Sequence, residues 1–499
     1  MRFSSARLIP LSLLSVSFAV ACGGSDTQSA TNGGAGNVST IAGAEAPDES
    51  NGIFVSADAK SVGQGTRSAP FNSLAAGISA GKEAKKPVYA CATTYTEQVE
   101  LVAGVSMYGN YDCTTWTAID QRATIATSAS PAVKANAITS PTTFYGFEVA
   151  APAGTREQPT AIALLAVDSD ALSIANSILK AGRGANGVDG VEGTALTLKE
   201  GDGKPARPEG ECQGSGGVSA CLYQTGVVQP GGSGECIGAD GFASEKGGAG
   251  GNSGFFKASC MLVNLKEQCI WAEVNPGMMC EVTPGESFGR GGALPSPGAN
   301  GSPGTSCTTP QLSEEGYQPC DGTAGSNGSP GHGGAGGDGV YPSVDPQAQY
   351  TKYFGTGGAS GGSGGCPGLA GTAGTGGGAS IAALLIASAA TFDHVDLISN
   401  DGGNGGKGTF GSPATKGGKG GAGKGKAEAQ DGSAGGEAGI SGSGAGGPSF
   451  GVASHGTAPK MIESKVTAGQ GGHGVDELQA NGKIIPASSS GKSEASYSF

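Results

Sequence analysis

The sequence predicts an all-β protein, a solenoid of short strands interrupted by long Gly-rich excursions. Three observations lead there. Apolar residues at helical spacing occur clearly once. Everywhere else in residues 51–180, short strand patterns alternate with Gly, Asn, Asp or Pro. A longer pattern, apolar strand, gap, second strand and Gly-rich exit, occurs near 161–187 and returns near 381–406 and 450–474. Finally, 96 of the 499 residues are Gly, and many fall on every third position, as from Gly362 to Gly377. A period of three is that of an extended polyproline II-type helix, in which a crowded side accepts only Gly.

The elements follow in order. Arg2 and Arg7 precede an apolar stretch, Leu8 to Val20, which ends in Ala19-Val20-Ala21-Cys22. A short apolar core closed by small residues is a secretory signal rather than a membrane span. The four residues resemble a bacterial lipobox. That resemblance implies cleavage before Cys22, lipidation of Cys22 and a place in the bacterial cell envelope, as an outer-membrane lipoprotein exposed at the surface. The alternative is ordinary signal cleavage, with Cys22 a bystander. Residues 1–22 are thus leader and lipobox, and 23–50, small and polar, a flexible tether. The longest other apolar run, Ile381 to Ala390, is about half the length a bilayer needs. A net charge of −13 argues against nucleic acid as a partner.

Residues 51–181 begin with a strand at Ile53 to Val55. Phe71, Leu74, Ala75 and Ile78, between Pro70 and Gly81, predict a short helix over 70–80. Short strands follow at 88–91, 99–101, 105–108, 123–125, 144–149, 161–165 and 172–174. The runs Ala69 to Leu74, Val88 to Glu97 and Val105 to Tyr111 resemble the right-handed parallel β-helix of pectin-lyase-like proteins. The resemblance implies a capping helix followed by stacked coils. Stacking would bury faces that one coil cannot bury alone, and the helix would cover the open end. Coils about 4.8 Å apart suit a disulfide. Cys91 and Cys113, 22 residues apart, are expected to pair on neighbouring coils.

The pattern repeats make 379–401 and 448–475 further coils, with a Gly/Cys-rich insert at 182–378, a Gly/Lys-rich insert at 402–447 and a polar tail at 476–499. Met261 to Leu265 and Ile270 to Val274 read as a small hairpin in the first insert. The Gly triplets read either as packed extended helices or as disorder. Runs of at most six triplets with little Pro are too short for collagen. Without Cys22 there remain eleven cysteines, none in a C-x-x-C, so a zinc ribbon is disfavoured and one thiol is left over. Cys366 is the candidate free thiol. In composition these inserts resemble PGRS-type surface proteins, in which Gly-Gly-x triplets pack as extended helices.

Gly richness also imitates catalytic motifs. Gly358 to Gly362 and Gly361 to Gly365 fit G-x-S-x-G, but lack the strand and helix that a nucleophile elbow needs. Gly418 to Lys424 resembles a phosphate loop but continues with Gly425 instead of Ser or Thr. Gly333 to Tyr341 fits one copy of a Ca²⁺-binding nonapeptide around Asp338, a weak calcium candidate. Asp168, Asp170, Asp393 and Asp396 lie near the repeat strands, with His394 among them. Asp393 and Asp396 form the weak acidic site that a polysaccharide lyase or hydrolase, the enzyme alternative, would use. Lys407, Lys416, Lys419, Lys424 and Lys426 could touch acidic polysaccharide or lipid headgroups. The expected function is a lipid-anchored surface protein with a structural, adhesive or interaction role. No catalytic residue, resident metal or cofactor is expected, and the partners are the membrane and polysaccharide or other surface components.

Overall fold

In a computed structural model of the chain, the described residues are 47–60, 63–211, 229–239, 241–250, 262–263, 266–267, 295–340 and 353–499. Cys22, the leader and most of the tether lie outside them, as do Cys212, Cys221, Cys260, Cys269 and Cys280. The described part is predominantly β and built on three parallel sheets.

The first sheet holds, side by side, Ile53–Val55, Val88–Cys91, Met107–Tyr111, Thr142–Tyr145, Leu172–Ala175, Thr391–Asp393 and Lys460–Ile462. The second holds Thr94–Tyr95, Ala123–Ala126, Phe147–Ala150, Ile178–Lys180, Asp396–Ile398 and Lys465–Thr467. The third holds Val99–Leu101, Val133–Asn136, Ala161–Val167, Ser380–Ile386, Ser449–His455 and Ser493–Ser498. From Ala161 onward the chain visits third, first and second sheet in turn. Each strand therefore lies parallel to its counterpart one circuit earlier. The repeats seen in the sequence are neighbours: Ile162, Ile381 and Phe450 are successive register partners, as are Leu179, Leu397 and Val466. Leu164, Leu385 and Val452 from the third sheet, Ile174 and Phe392 from the first, and Val149 and Leu397 from the second share one buried core.

Two corners use left-handed backbone. Gly146, Asn176, His394 and Glu463 (φ 74°, 42°, 53° and 42°) each follow a first-sheet strand. Ala137, Asp168, Ala387 and Gly456 (φ 53°, 49°, 46° and 88°) each follow a third-sheet strand. Such a conformation costs a non-Gly residue about 1–2 kcal/mol. After Asn176, Asp168, Ala387 and Glu463 a Ser in the next position helps to hold it. Ser177 Oγ accepts from Phe147 N (3.2 Å) and donates to Ala175 O (2.7 Å). Ser169 and Ser464 do the same towards Ile138 N and Val395 N. Each corner is thereby tied to the previous circuit. Gly146 explains a difference from expectation: the single strand expected over 144–149 is two strands in two sheets.

The helix runs Leu74–Ala84 and buries Leu74 and Ile78. Ser73 Oγ accepts from Ala76 N, and the Glu97 carboxylate accepts from Leu74 N and Ala75 N at 2.7 and 3.0 Å. Gly81 does not end it. A Cβ there would stand 2.9 Å from Lys86 O and 3.0 Å from Val105 Cγ1, so Gly serves close packing and the left-handed Lys85 closes the helix.

The corner from second to third sheet is short early in the chain and long later. After Lys180 and after Ile398 the chain leaves in extended Gly-rich runs, neither helix nor strand, and returns beside them. Backbone bonds between runs recur every third residue. Gly184, Gly187 and Gly190 donate to Asp401, Asn404 and Lys407. Gly362, Gly365 and Gly368 donate to Gln430, Ser433 and Gly436, and Gly298, Gly301 and Gly304 to Ala434, Glu437 and Ile440. Returning runs lie antiparallel, as where Thr375 and Thr372 donate to Val188 and Val191. Side chains between the glycines add stitches. Asn186 Oδ1 accepts from Asn404 N, and Asn404 Oδ1 from His473 N, both at 2.9 Å. The described runs are thus joined to one another through their backbones.

Three expectations are corrected. Residues 476–499 are not only a polar tail: Leu478–Ala480 pairs with Lys483–Ile485, and Ser493–Ser498 extends the third sheet beside Ser449–His455. The alternation that puts Tyr497 on Phe450 (centroids 4.5 Å apart) is hidden among Ser and Glu. Cys366 is not a free thiol: its Sγ lies 2.04 Å from that of Cys236, buried with Leu196 and Leu369. The hairpin near 261–274 turns sooner than expected, Leu262–Val263 pairing with Lys266–Glu267; Ile270 to Val274 lies outside the described residues.

A Cβ on Gly374 would fall on the carbonyl oxygen of Gly406, while Gly374 N bonds Gly442 O. Gly374→Ala should therefore lower stability by about 3 kcal/mol, from overpacking plus a weakened hydrogen bond. The exposed Ala422→Ser should stay within about 0.5 kcal/mol. Equal denaturation midpoints for the two variants would refute the tight packing of the runs.

Candidate functional site

A first candidate place on the described surface is the first-to-second-sheet corner at His394. Stacking puts Asn176, His394 and Glu463 at equivalent positions of successive circuits. His394 Nδ1 lies 2.6 Å from Asp393 Oδ1, and Nε2 lies 2.9 Å from Glu463 Oε2. The hydrogen bond to Asp393 is the main cause that raises the imidazole pKa above its usual value; Glu463 adds to it and partial desolvation opposes it. With a carboxylate at each nitrogen, the ring can donate to both Asp393 and Glu463 when it is protonated.

The same corner separates the two acids singled out in the sequence. Asp393 ends a first-sheet strand and Asp396 begins a second-sheet strand, where its register partners are Ile178 and Lys465. His394 bridges Asp393 to Glu463, a residue with no distinguishing sequence signal, and not to Asp396. Asp170 Oδ1 accepts from Ala389 N at 2.8 Å, a structural bond between circuits.

Other candidates take structural places. Cys91 and Cys113 are at disulfide distance (2.28 Å), on and just after neighbouring first-sheet strands. Ser360, in the first G-x-S-x-G match, accepts from Lys204 N through Oγ (2.7 Å). In the nonapeptide, Gly334 and Gly337 donate to Gly362 and Ala359 of the adjacent run, and Asp338 N donates to Lys426 O. Among the described residues no three His, Cys, Asp or Glu gather as metal ligands. Lys407, Lys416, Lys419, Lys424 and Lys426 are all exposed.

The second place was not foreseen. Cys307 and Cys320, at disulfide distance, close a loop whose strands Leu312–Ser313 and Gly316–Tyr317 form a hairpin. This hairpin packs on the outer face of the third sheet, with Tyr317 buried among Ile162, Ile381, Leu384 and Phe450. Tyr317 OH donates to Gly377 O at 3.1 Å, and burial pushes its pKa up, so the hydroxyl stays protonated. Between hairpin and sheet lies a groove of about 360 Å³. Pro310, Leu312, Phe450 and Tyr497 give it an apolar wall; Thr309, Ser489 and Lys492 contribute polar groups. Lys492 Nζ sits 4.5 Å from the centroid of the Tyr497 ring. The Cys-x₁₂-Cys closure around Leu312 and Tyr317, together with the alternating Tyr497 and Phe499, is the sequence signal that could have located it.

No family model, curated protein or solved structure matches this chain. Its function is therefore argued from its own residues. None of the described helices is long and apolar enough to cross a membrane.

The His394 arrangement has a definite titration sign. A folded pKa above the unfolded value means that this contact stabilises the protein below the unfolded pKa. The contribution is lost as pH rises through the raised folded pKa. An NMR titration of the His394 ring should give a midpoint above the ordinary histidine value, and Asp393→Asn should bring it down. A midpoint unmoved by Asp393→Asn would show that the pair does not form in solution.

Proposed function

We propose that this chain is a lipid-anchored surface protein of the bacterial cell envelope with a structural or interaction role. On this reading the three sheets are the faces of one right-handed parallel β-helix. The Gly-rich runs are a side bundle of packed polyglycine and polyproline II-type helices. The observation that carries it is the backbone bonding between those runs. Much of the described Gly-rich part has glycine and carbonyl groups in its interior and small polar or charged side chains outside. Such a body suits the extension of a surface. The leader ending in Cys22 supplies the anchoring half of the proposal, and the exposed lysines of 407–426 suit acidic surface polymers.

Polysaccharide cleavage at Asp393 and Asp396 is the competing reading. It needs two carboxyl groups flanking one glycosidic bond. The intervening corner and the double engagement of His394 favour binding without cleavage.

Two measurements test the proposal. Cys22→Ala should move the protein out of the membrane fraction and abolish lipid labelling; retention with unchanged labelling would refute the anchor. Purified protein should release neither reducing ends nor unsaturated uronate from acidic or neutral polysaccharides. Cleavage that Asp393→Ala or Asp396→Ala abolishes would replace the non-catalytic role with the enzymatic one.

A further inference from the structure

The strand Ser493–Ser498 has a sheet neighbour on one side only, Ser449–His455. Four of its six residues are exposed. An edge of this kind presents backbone donors and acceptors at the spacing of an extended chain. Natural edges are often short, charged or covered. This one is short, carries Glu494 opposite Phe450 and is flanked by Lys492, and the aromatic groove lies directly beside it, lined by its own Tyr497.

Three further features mark the groove as a built site. Its outer wall, the hairpin of Leu312 and Tyr317, is pinned at both ends by Cys307 and Cys320, so the opening is held in place and is not left to a mobile loop. Ser489 lines the groove, and its hydroxyl is buried without a hydrogen-bond partner among the described residues. Lys492 lies over the ring of Tyr497, with Nζ 3.4 Å from the Tyr497 hydroxyl, and has no carboxylate partner among the described residues.

We propose that the open edge of Ser493–Ser498 and the adjoining groove bind an extended peptide segment of a partner protein as one added strand. A bulky apolar side chain of that segment enters the groove, and an acidic side chain lies against Lys492. The backbone edge selects a peptide: alternate amides bond the strand while side-chain pockets give specificity. Lys492, which has no carboxylate partner among the described residues, selects the acid. The reading goes beyond the anchored scaffold and does not depend on it, since absence of lipid on Cys22 would leave the groove and edge in place.

The test uses the purified full-length protein and fluorescent synthetic peptides of about nine residues. The parent alternates Thr and Val, with a central Phe and one Asp. Anisotropy titrations compare it with a central-Ser version, an Asp-to-Lys version and two versions N-methylated on alternate amides, one set for each edge. The parent should bind, and central Ser should weaken it about tenfold or more. One of the two N-methylated sets should abolish binding. Lys492→Glu, whose melting should match the wild type, should reverse the preference between Asp and Lys peptides. Leu312→Ser should erase the difference between Phe and Ser. No binding by the parent, equal binding by both N-methylated sets, or an unchanged charge preference in Lys492→Glu would overturn the proposal. Displacement of the parent by acidic oligosaccharide would also overturn it, making the groove a saccharide site.

Discussion

The extended Gly-rich runs bond to one another and not within themselves, so their buried amides must be satisfied by neighbouring runs. This constraint governs the Gly-rich part of the described chain. To place Gly184 N on Asp401 O, Gly187 N on Asn404 O and Gly190 N on Lys407 O, adjacent runs must approach until a Cβ would occupy the space of a neighbouring carbonyl. Only Gly permits that on the crowded side. The third residue of each triplet can then be polar, and Asn186, Asp189 and Asp202 use that position to accept a further amide from the next run. The period of three in the sequence is thus a record of which side of each run is crowded.

The sheets set the register of the runs. Lys180 pairs with Ile398, and Ile398 with Thr467, at the end of the second sheet. Directly beyond, Gly184 donates to Asp401 and Gly402 to Gln470. The stacking of circuits continues without a break from strand into Gly run. The returning chain meets the third sheet the same way, Gly377 donating to Ala445 shortly before Ser380 pairs with Ser449. The inserts are therefore an enlargement of one corner, and every excursion inherits its alignment from apolar strands such as Ser380–Ile386, which is buried throughout. Polar residues become tolerable at the end of the stack, where Lys460, Met461 and Lys465 are exposed, as a terminal repeat facing water requires.

Much of this was legible because it is periodic. Ile162, Ile381 and Phe450 announce their equivalence through the matching apolar runs around them, and the spacing of Leu74, Ala75 and Ile78 shows the α-helix, although Phe71, expected on it, lies before it in a bridge to Val55. What stayed hidden depended on single residues or on partners far away in the chain. Gly146 splits one apparent strand into two because a left-handed residue turns the corner, and nothing in Phe-Tyr-Gly-Phe distinguishes that Gly from a bulge. Cys366 finds Cys236 across 130 residues, a separation with no local signature. The acidic site fared similarly. Asp393 and His394 are adjacent in sequence, but their third member, Glu463, arrives from the next circuit after the whole Gly/Lys-rich insert. The terminal strand was missed because Ser and Glu conceal the alternation that seats Tyr497.

The energetics explain why the bundle and the sheets need one another. Ordering Gly costs roughly 0.5–1 kcal/mol more than ordering Ala, and backbone ordering costs about 1–2 kcal/mol per residue in any case. A net hydrogen bond returns only about 1 kcal/mol, and the crowded side of each run buries no apolar side chain. Gly runs on their own would thus be at best marginal. Attachment changes the balance. The β-strands fix both ends of each excursion, so a returning run such as 372–378 meets its outgoing partner at a high effective concentration. The Cys236–Cys366 link closes 130 residues, worth roughly 5 kcal/mol in the chain-entropy account, and it sits at a small apolar cluster among the Gly-rich runs, with Leu196 and Leu369. A covalent tie is placed where side-chain burial is scarcest. This division of labour, apolar strands for register, backbone bonds for extent and disulfides for closure, lets a chain with so little apolar surface in its inserts hold one arrangement.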